Sequence, residues 1–282
     1  MSRPTLSLVI PAYNEEKRIG ETLRRVGTYF STISSYRRLM MPLPVEVIVV
    51  INNTTDHTQD IVNHYAEKYP FISSINIAAK TNKGGAVAIG FEHAQGEYVA
   101  FIDADGSSSP REIMKLYESL VTKNADVAIA NRYNSHSLIS GNMPLARTIF
   151  SRLFNFFGVR LLFGLPYTDT QCGLKLFKAD VAKTLASKFV STGWTFDLNL
   201  ILLAKHLGYK VVEVPTVWIY RPGSTLRPGI AILMVTRELL NLKWLETQYM
   251  INKLIKVITL GAAPEKVGLK QDLVSEKEQS WR

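Results

Sequence analysis

The sequence predicts an α/β fold with a mostly parallel β-sheet and helices on both of its faces. Apolar runs typical of strands alternate regularly with helical segments over residues 6–130, which is the order that βα units produce. These runs are mainly apolar and do not alternate regularly, whereas a strand with one face in water alternates polar and apolar residues. In sheets of this kind ligands bind beyond the carboxyl ends of the strands, so polar residues at that edge are candidates for function.

The elements of the first half follow from local sequence patterns. Each predicted strand is a short apolar run bounded by polar residues or proline, and each predicted helix repeats apolar residues at helical spacing. Pro110 lies near the start of the last of these helices, where its missing N–H is tolerated. The predicted strands are residues 6–10, 45–51, 75–78, 98–102 and 127–130. The predicted helices are residues 14–30, 58–69, 84–94 and 110–123.

The second half has a different character. Residues 145–163 are rich in phenylalanine and leucine, with arginines interspersed. The pattern predicts a helix at residues 195–207, a strand at residues 210–214, and one or two amphipathic helices at residues 230–260. The expected division is one domain over residues 1–227, amphipathic helices over residues 228–262, and a polar, disordered tail over residues 263–282.

Composition narrows the classes of function. Apolar residues make up 46% and charged residues 20% of the 282, as in an ordinary globular protein. The net charge of +9 favours an anionic partner, but the basic residues are scattered, which argues against nucleic acid. The single cysteine, Cys172, excludes an internal disulfide and a cysteine-based zinc site. The chain has no run of 18 apolar residues, so no transmembrane helix is predicted.

Three polar clusters follow predicted strands, at residues 13–15, 52–56 and 103–105, and we expect them to meet at one edge of the sheet. Asp103 and Asp105 directly follow a buried strand, where paired carboxylates can hold a hard divalent cation through oxygen ligands. Such a cation is a Lewis acid that offsets charge on a leaving diphosphate. A turn with aspartate caps before the next helix is the simpler alternative.

Five motifs occur in a fixed order along the chain. They are P-A-Y-N-E at residues 11–15, the loop at Asp56, N-K-G-G-A at residues 82–86, D-A-D at residues 103–105, and Q-C-G-L-K-L-F at residues 171–177. Together they resemble the motifs of the family 2 glycosyltransferases, which have the GT-A fold. Within that family the chain looks most like the polyprenyl-phosphate sugar transferases, and is closest to the dolichyl-phosphate β-glucosyltransferase branch. Residues 194–197 and 222–224 extend the match.

The resemblance implies a role for each matching residue. Asp103 and Asp105 would hold Mg²⁺ or Mn²⁺ against the diphosphate. Arg132, Arg147 and Ser151 would contact the acceptor phosphate, since a guanidinium can bond two phosphate oxygens at once. The catalytic residues would be Asp105, Arg132 and Asp197, with Asp197 acting as a base or orienting an arginine; a capping or core-paired role is the alternative. The residues implied to bind the nucleotide sugar are Pro11, Ala12, Tyr13, Asn14, Glu15, Val50, Asn52, Lys83, Asp103, Ala104, Asp105, Gln171 and Arg221.

The activity implied by the resemblance is inverting transfer of a hexose from a nucleotide sugar, with UDP-glucose as the first candidate, to a polyprenyl or dolichyl monophosphate. This acceptor is already anionic at neutral pH, so the enzyme would contribute positioning and charge stabilisation more than a strong base. Three alternatives stay open: a GDP-mannose donor, a glycan hydroxyl as acceptor, and an inactive subunit that binds the nucleotide sugar.

The chain departs from the family pattern in two places. Where the family has two aspartates followed by Gly-Ser, residues 51–54 read I-N-N-T. Asn52 can accept a hydrogen bond from a base N–H but carries no charge, which leaves uridine and guanosine both open. Thr225 stands where the family often has a lysine near the diphosphate, and Arg221 or Arg227 would supply that charge.

Two segments predict contact with a membrane. Residues 145–163 and 230–260 place basic residues among large apolar ones, as in helices that lie in the bilayer interface. Packing in the protein core or in a dimer is the alternative. Because the implied acceptor is a membrane lipid, we expect a peripheral protein on the cytoplasmic face of a membrane. It would dock directly, or through a membrane partner protein or a homo-oligomer.

Overall fold

The computed structural model describes residues 3–37, 43–79, 81–188, 193–222 and 228–260. The expectations for residues 223–225, Arg227 and the tail at residues 263–282 lie outside these ranges.

Seven strands form one central sheet. With two short strands outside it, the strands are β1 (Leu6–Ala12), β2 (Val45–Asn52), β3 (Ile72–Ile77), β4 (Tyr98–Ile102), β5 (Val127–Asn131), β6 (Leu138–Ser140), β7 (Leu174–Lys178), β8 (Val211–Pro215) and β9 (Val217–Ile219). The order across the sheet is β3-β2-β1-β4-β7-β5-β8. Every pairing in it is parallel except those of β7 with β4 and β5. The prediction of a mostly parallel sheet is therefore confirmed.

Helices cover both faces of this sheet. They are α1 (Ile19–Arg37), α2 (Thr58–Lys68), α3 (Lys83–His93), α4 (Pro110–Thr122), α5 (Leu145–Leu153), α6 (Ala179–Lys188), α7 (Phe196–His206) and α8 (Pro228–Leu260). Side chains of α1, α2 and α4 form one buried cluster that includes Leu8, and side chains of α3, α6 and α7 form another that includes Val9. Successive strand residues point to opposite faces, so the two neighbours in β1 belong to different cores.

β7 was not predicted as a strand, and it changes the composition of the sheet edge. It runs antiparallel, so that its first residue, Leu174, lies opposite Ile102, the last residue of β4. The backbone N–H of Asp103 donates to the carbonyl of Gly173 at 3.1 Å. The segment that precedes β7 therefore lies beside the carboxyl end of β4. Helix α6 and the short strands β6 and β9 were also not predicted.

The two segments with membrane character are helical. Helix α5 continues as a π-helix at Phe154–Leu162, and α8 is one helix of 33 residues, about 50 Å long at the usual rise. Leu239 of α8 packs against Gly158 of the π-helix, so the two elements are in contact. Among the described residues, no helix combines the length and the apolar character that crossing a bilayer requires.

Candidate active site

The loops after β1 and β2 are bonded to each other at the carboxyl edge of the sheet. Asn14 has a left-handed backbone (φ 52°), and its carboxamide oxygen accepts from the Thr55 N–H and the Thr54 hydroxyl, both at 2.9 Å. The Asp56 carboxylate accepts from the backbone N–H groups of Glu16 and Thr58, both at 3.0 Å. Asn14 therefore acts as a brace between two loops, and its side chain is already engaged.

Side chains of α1 hold the Asp103-Ala104-Asp105 turn in place. The Thr22 hydroxyl donates to the Ala104 carbonyl at 2.7 Å, and Arg25 Nη1 donates to the Gly106 carbonyl at 3.2 Å. Gly106 has φ +71°, a backbone conformation that favours glycine and lets the chain turn directly after Asp105. The turn is thus fixed by backbone contacts that leave both carboxylates at the sheet edge.

The electrostatics of this turn fit a divalent cation. Burial raises the pKa of Asp105, and the neighbouring Asp103 carboxylate raises it further. Two carboxylates that repel each other in a partly buried site are stabilised by a positive charge between them. In the described part of the chain, no group of three acidic, histidine or cysteine side chains could hold a metal. The protein thus offers two carboxylates, the set that Mg²⁺ uses when substrate phosphates complete its coordination.

Two basic residues lie next to these acids. Arg18 bonds both oxygens of Glu15, at 2.7 and 2.6 Å, which opposes the rise that burial causes in the pKa of Glu15. The Lys83 ammonium forms an ion pair with Asp103. Lys83 therefore lies directly beside the Asp103-Ala104-Asp105 turn.

Gly173 is packed directly against the Asp103 carboxylate. A Cβ atom added at Gly173 would collide with all three carboxyl atoms of Asp103. Only glycine lets the segment before β7 approach the turn so closely.

We expect Gly173→Ala to weaken Mn²⁺ binding at least tenfold, because Asp103 must rotate away from its partner Asp105. The change is measured by titrating Mn²⁺ in the presence of UDP and recording the free ion by electron paramagnetic resonance. Gly20→Ala in α1, whose Cβ would make ordinary contacts with Ile61 and Tyr65 at 3.5 and 3.8 Å, serves as the control for a glycine substitution. Wild-type affinity in Gly173→Ala would contradict this account of the turn.

Gln171 carries an unpaired donor at the edge of the sheet. Its Nε2 atom is buried and has no hydrogen-bond partner among the described residues. An orphaned buried donor is costly, and in a native protein it calls for a partner such as a bound ligand. The unpaired Nε2 atom of Gln171 is therefore a candidate contact for a bound ligand.

Three residues expected at the nucleotide are bonded or buried differently from that expectation. The Asn52 carboxamide is held by the Thr81 backbone: its nitrogen donates to the Thr81 carbonyl, and its oxygen accepts from the Thr81 N–H at 2.9 Å. A base could reach that oxygen only as a second donor. Val50 is fully buried and packs beneath Gly90 of α3, which corrects its expected place in the pocket. Ala104 is buried as well, and contributes its backbone to the turn.

Four further residues were expected to bind the nucleotide, and three of them lie where β1 ends. Pro11 and Ala12 are buried at the end of β1, and Tyr13 beside them is 43% exposed. Arg221 lies elsewhere, near α1: with Arg24 as the main cause, it helps to lower the pKa of Glu21. Tyr13 thus lies at the carboxyl edge of the sheet, whereas Arg221 lies beside the outer face of α1.

The residues expected at the acceptor lie on the α5 side of the site. Arg132 Nε and Nη2 both donate to the buried Asp169 carboxylate at 2.8 Å, so this guanidinium is locked in place. The Ser151 hydroxyl accepts from Tyr133 at 2.6 Å. Arg132 and Arg152 both lie over the Tyr133 ring, with Cζ 5.4 and 4.9 Å from its centroid.

Arg147 is the other arginine expected at the acceptor. Its Cζ lies 5.3 Å from the centroid of the Tyr220 ring, a stacking contact that leaves the fork of N–H groups able to bond an anion. Of these three arginines, Arg147 and Arg152 contact tyrosine rings, whereas Arg132 also has a fixed carboxylate partner.

Asp197 is not a free carboxylate. It is buried in the first turn of α7 and forms an ion pair with the ammonium of Lys175, which is fully buried. The same ammonium donates to the Cys172 carbonyl at 2.9 Å, so it fastens the segment that carries Gln171. Burial also raises the pKa of the Cys172 thiol to about 12, as in an inert core cysteine. The core-paired alternative for Asp197 is therefore the arrangement found.

Sequence reasoning missed Lys175, Arg18 and Glu238. Glu238 of α8 accepts from the Thr195 N–H at 2.9 Å and from the Thr195 hydroxyl at 3.1 Å, which caps α7 next to Asp197. A signal exists for the first two only. Lys175 interrupts an apolar run, and Arg18 follows Glu15 by three residues at the start of a helix, a spacing that favours an ion pair.

The sequence is similar to that of known proteins. The profile of Glycosyl transferase family 2 matches residues 7–185. The chain is 30% identical over 235 residues to a dolichyl-phosphate beta-glucosyltransferase of Trichomonas vaginalis, covering 82% of this chain and 71% of that protein. It is 28% identical over 242 residues to the dolichyl-phosphate beta-glucosyltransferase of Homo sapiens, covering 83% of this chain and 74% of that protein.

The fold is similar to that of glucosyl-3-phosphoglycerate synthase from Mycobacterium tuberculosis. That crystal structure contains Mn²⁺, uridine diphosphate and glucosyl-3-phosphoglycerate. The TM-score is 0.59 at 20% sequence identity, and the match covers 86% of this chain and 78% of that chain. At this identity the likeness shows a shared GT-A-type architecture.

Proposed function

The chain belongs to glycosyltransferase family 2, and on that premise we propose that it transfers glucose from UDP-glucose to dolichyl phosphate. It is a glycosyltransferase by that membership. The relatives that match most of its length carry the names of dolichyl-phosphate glucosyl transferases, and they cover 82% and 83% of the chain. The single observation that carries the proposal is the Asp103–Asp105 pair, fixed at the carboxyl edge of the sheet beside Lys83 and Gly173.

The donor half of the site is suited to a sugar diphosphate. Asp103 and Asp105 would hold Mg²⁺ or Mn²⁺, which when bound supplies a Lewis acid that offsets charge on the departing diphosphate. Lys83 adds a positive charge on the same side, and the buried Gln171 Nε2 offers a donor to a sugar hydroxyl. Tyr13, exposed where β1 ends, offers a ring on which a base can stack.

The acceptor half of the site favours a phosphate. Arg147 and Arg152 are oriented by tyrosine rings and present guanidinium groups that can bond two phosphate oxygens. A phosphate oxygen of the lipid attacks the anomeric carbon, the bond to UDP breaks, and UDP leaves with the electron pair. The anomeric centre inverts, so an α-linked donor gives a β-linked product. No proton has to be removed from the nucleophile, because a phosphate monoester is ionised at neutral pH.

The position of Asp197 weighs against the glycan alternative. A hydroxyl acceptor requires a general base within hydrogen-bond reach of its proton, and the expected base is buried and paired with Lys175. The intact carboxylate pair likewise weighs against an inactive subunit. The geometry gives the least support for choosing between UDP-glucose and GDP-mannose. Asn52 is bonded to the Thr81 backbone and carries no charge that would favour uridine or guanosine.

A donor comparison tests the proposal. Purified protein is incubated with Mn²⁺, dolichyl phosphate, and either UDP-[³H]glucose or GDP-[³H]mannose, and label is counted in the organic phase. We expect label from UDP-glucose in large excess over label from GDP-mannose. Label from GDP-mannose alone would replace the donor in this proposal, and no label from either would reject the activity.

An exposed apolar surface lies on α8, α5 and the π-helix, and we propose that it docks on a membrane. On α8, four of the exposed apolar residues, Leu233, Leu240, Trp244 and Ile251, fall on the side opposite Glu238, Leu242 and Glu246, which face the protein. Arginines and lysines border this surface, as in helices that lie in the interface of anionic bilayers. The exposed apolar side chains are Leu145, Ile149, Phe150, Leu153, Phe156, Phe157, Leu161, Leu233, Met234, Leu240, Trp244, Met250 and Ile251.

Flotation with liposomes that contain phosphatidylserine tests this surface. We expect the protein to float at low salt and less so at high salt, because salt screens its basic border. The double variant Leu240→Ser/Trp244→Ser should bind at least tenfold less, since each large apolar side chain contributes about 1.5–3 kcal/mol when buried. Val121→Ser, on the exposed side of α4, is the control. Equal flotation of the double variant and wild type would remove α8 from the docking surface.

A further inference from the structure

Lys83 places a positive charge beside Asp103, at the position where the divalent metal ion is also expected to bind. It is the first residue of α3, and its ammonium pairs with Oδ1 of Asp103, one of the two carboxylates that would hold the metal. Its side chain is 40% exposed, and that of Asp103 is 31% exposed. Both side chains therefore reach solvent in part, whereas the paired oxygen itself, Oδ1 of Asp103, is buried.

The aromatic rings around Lys83 guide its ammonium toward the acids. The Nζ atom lies 5.3 Å from the centroid of Phe196 and 5.9 Å from that of Phe101. Rings at these distances attract an ammonium through their electron-rich faces. Partial burial lowers the pKa of Lys83, but the carboxylates of Asp103 and Asp197 outweigh it and hold the pKa above its usual value.

The charge around Asp103 explains why a lysine is held there. Glu15 lies near Asp103 and Asp105, and Lys83 lies near both of them and Asp197. Arg18 is bonded to Glu15, and Lys175 is paired with Asp197. Without Lys83, the Asp103–Asp105 pair would have no adjacent ammonium among the contacts described. Among the described residues no group of three acidic, histidine or cysteine side chains could hold a metal, so an ammonium on one of the two carboxylates removes half of the proposed ligand set.

We propose that Lys83 is an exchangeable cation of the metal site: it neutralises Asp103 when no donor is bound, and moves to the diphosphate when metal and donor enter together. This inference rests on the proposed function for the identity of the donor. Lysine suits the role because its ammonium is a compact charge on a flexible stem of four carbons. The diphosphate supplies the new partner for Lys83 and the missing oxygen ligands for the metal in the same event.

The consequence is that metal and nucleotide bind cooperatively. Without nucleotide, metal binding would separate the Lys83 ammonium from Asp103 and leave the ammonium without an anionic partner. With nucleotide, the diphosphate would become the new partner of the ammonium. By linkage, the factor by which UDP tightens Mn²⁺ binding equals the factor by which Mn²⁺ tightens UDP binding. Lys83 sets the larger part of that factor.

The test compares Mn²⁺ binding by wild type and Lys83→Met, measured by electron paramagnetic resonance with and without UDP. Without nucleotide, we expect Lys83→Met to bind Mn²⁺ at least tenfold more tightly than wild type, because no ammonium competes for Asp103. With UDP the two proteins should bind Mn²⁺ equally tightly, so the cooperative factor falls at least tenfold in the variant. Unchanged or weaker Mn²⁺ binding by Lys83→Met without UDP would overturn the proposal.

Two further variants separate charge from side-chain loss. Lys83→Arg keeps the positive charge and should retain the weak Mn²⁺ binding of wild type without nucleotide. Lys178→Met removes a lysine from a comparable ion pair, formed with Asp126 at 2.9 Å. Lys178 lies at the end of β7 that is farther from Asp103, so this variant should leave Mn²⁺ binding unchanged. Tighter Mn²⁺ binding by Lys178→Met would show a general effect of net charge and overturn the specific role. No sugar or lipid is present, so these results do not depend on the transferase assay.

Discussion

Replacing Asp105 with asparagine is expected to lower kcat for sugar transfer at least a thousandfold without loss of the fold. Asparagine removes one of the two negative charges that would hold the metal, and the charge that the metal offsets in the transition state is worth several kcal/mol. A thousandfold loss corresponds to about 4 kcal/mol. The effect is measured as the initial rate of label transfer at saturating UDP-glucose and dolichyl phosphate.

The stability of Asp105→Asn separates a catalytic from a structural role. Burial and the Asp103 carboxylate raise the pKa of Asp105 in the folded protein, so the ionised form is less favourable there than in the unfolded chain. This cost is present at pH values above the folded pKa, and a neutral asparagine removes it. We therefore expect an unfolding temperature at pH 7 equal to or higher than that of wild type. A large fall in that temperature would assign Asp105 to the turn instead of to catalysis.

Asp197→Asn is expected to lower the free energy of unfolding by about 3 kcal/mol, because it leaves the fully buried Lys175 ammonium without a counter-charge. Lys175→Met should cost a similar amount by stranding the carboxylate. The double variant Lys175→Met/Asp197→Leu replaces the pair with apolar side chains and should recover most of the stability, as buried pairs often do. Unfolding in urea, followed by fluorescence, measures all three variants.

Two results would contradict the interpretation of Asp197 as a buried counter-charge. One is near-wild-type stability of Asp197→Asn together with the loss of an acidic limb in the pH dependence of kcat/KM, which is the behaviour of a general base. The other is a double variant as unstable as either single variant. Either result would return the glycan alternative to consideration.

The part of the fold that could be predicted from sequence is the part that local pattern determines. The strand at residues 98–102 matches β4 to the residue, and Pro110 begins α4 as predicted. Strand β7 was missed because Lys175 interrupts its apolar run. Burial of a lysine can be predicted only when the residue that neutralises its charge is known. That partner, Asp197, lies 22 residues further along the chain.

Candidate site residues could be named from motifs, but their bonding state could not be predicted. The D-A-D turn lies at the sheet edge as expected, because the carboxyl end of a parallel strand must be there. Arg132 was expected to meet a phosphate, yet its guanidinium is bonded to Asp169, 37 residues away. Asn52 was expected to meet a base, and its carboxamide is bonded to the backbone of Thr81. Both contacts join distant segments, and no local pattern specifies them.

The most direct test of the central claim compares two lipid acceptors that differ only in the phosphate. Protein, Mn²⁺ and UDP-[³H]glucose are incubated with dolichyl phosphate or with dolichol, and label in the organic phase is counted. If the nucleophile is a phosphate oxygen positioned by arginines, dolichyl phosphate becomes labelled and dolichol does not. Equal labelling of dolichol, or labelling of neither lipid, would contradict the account.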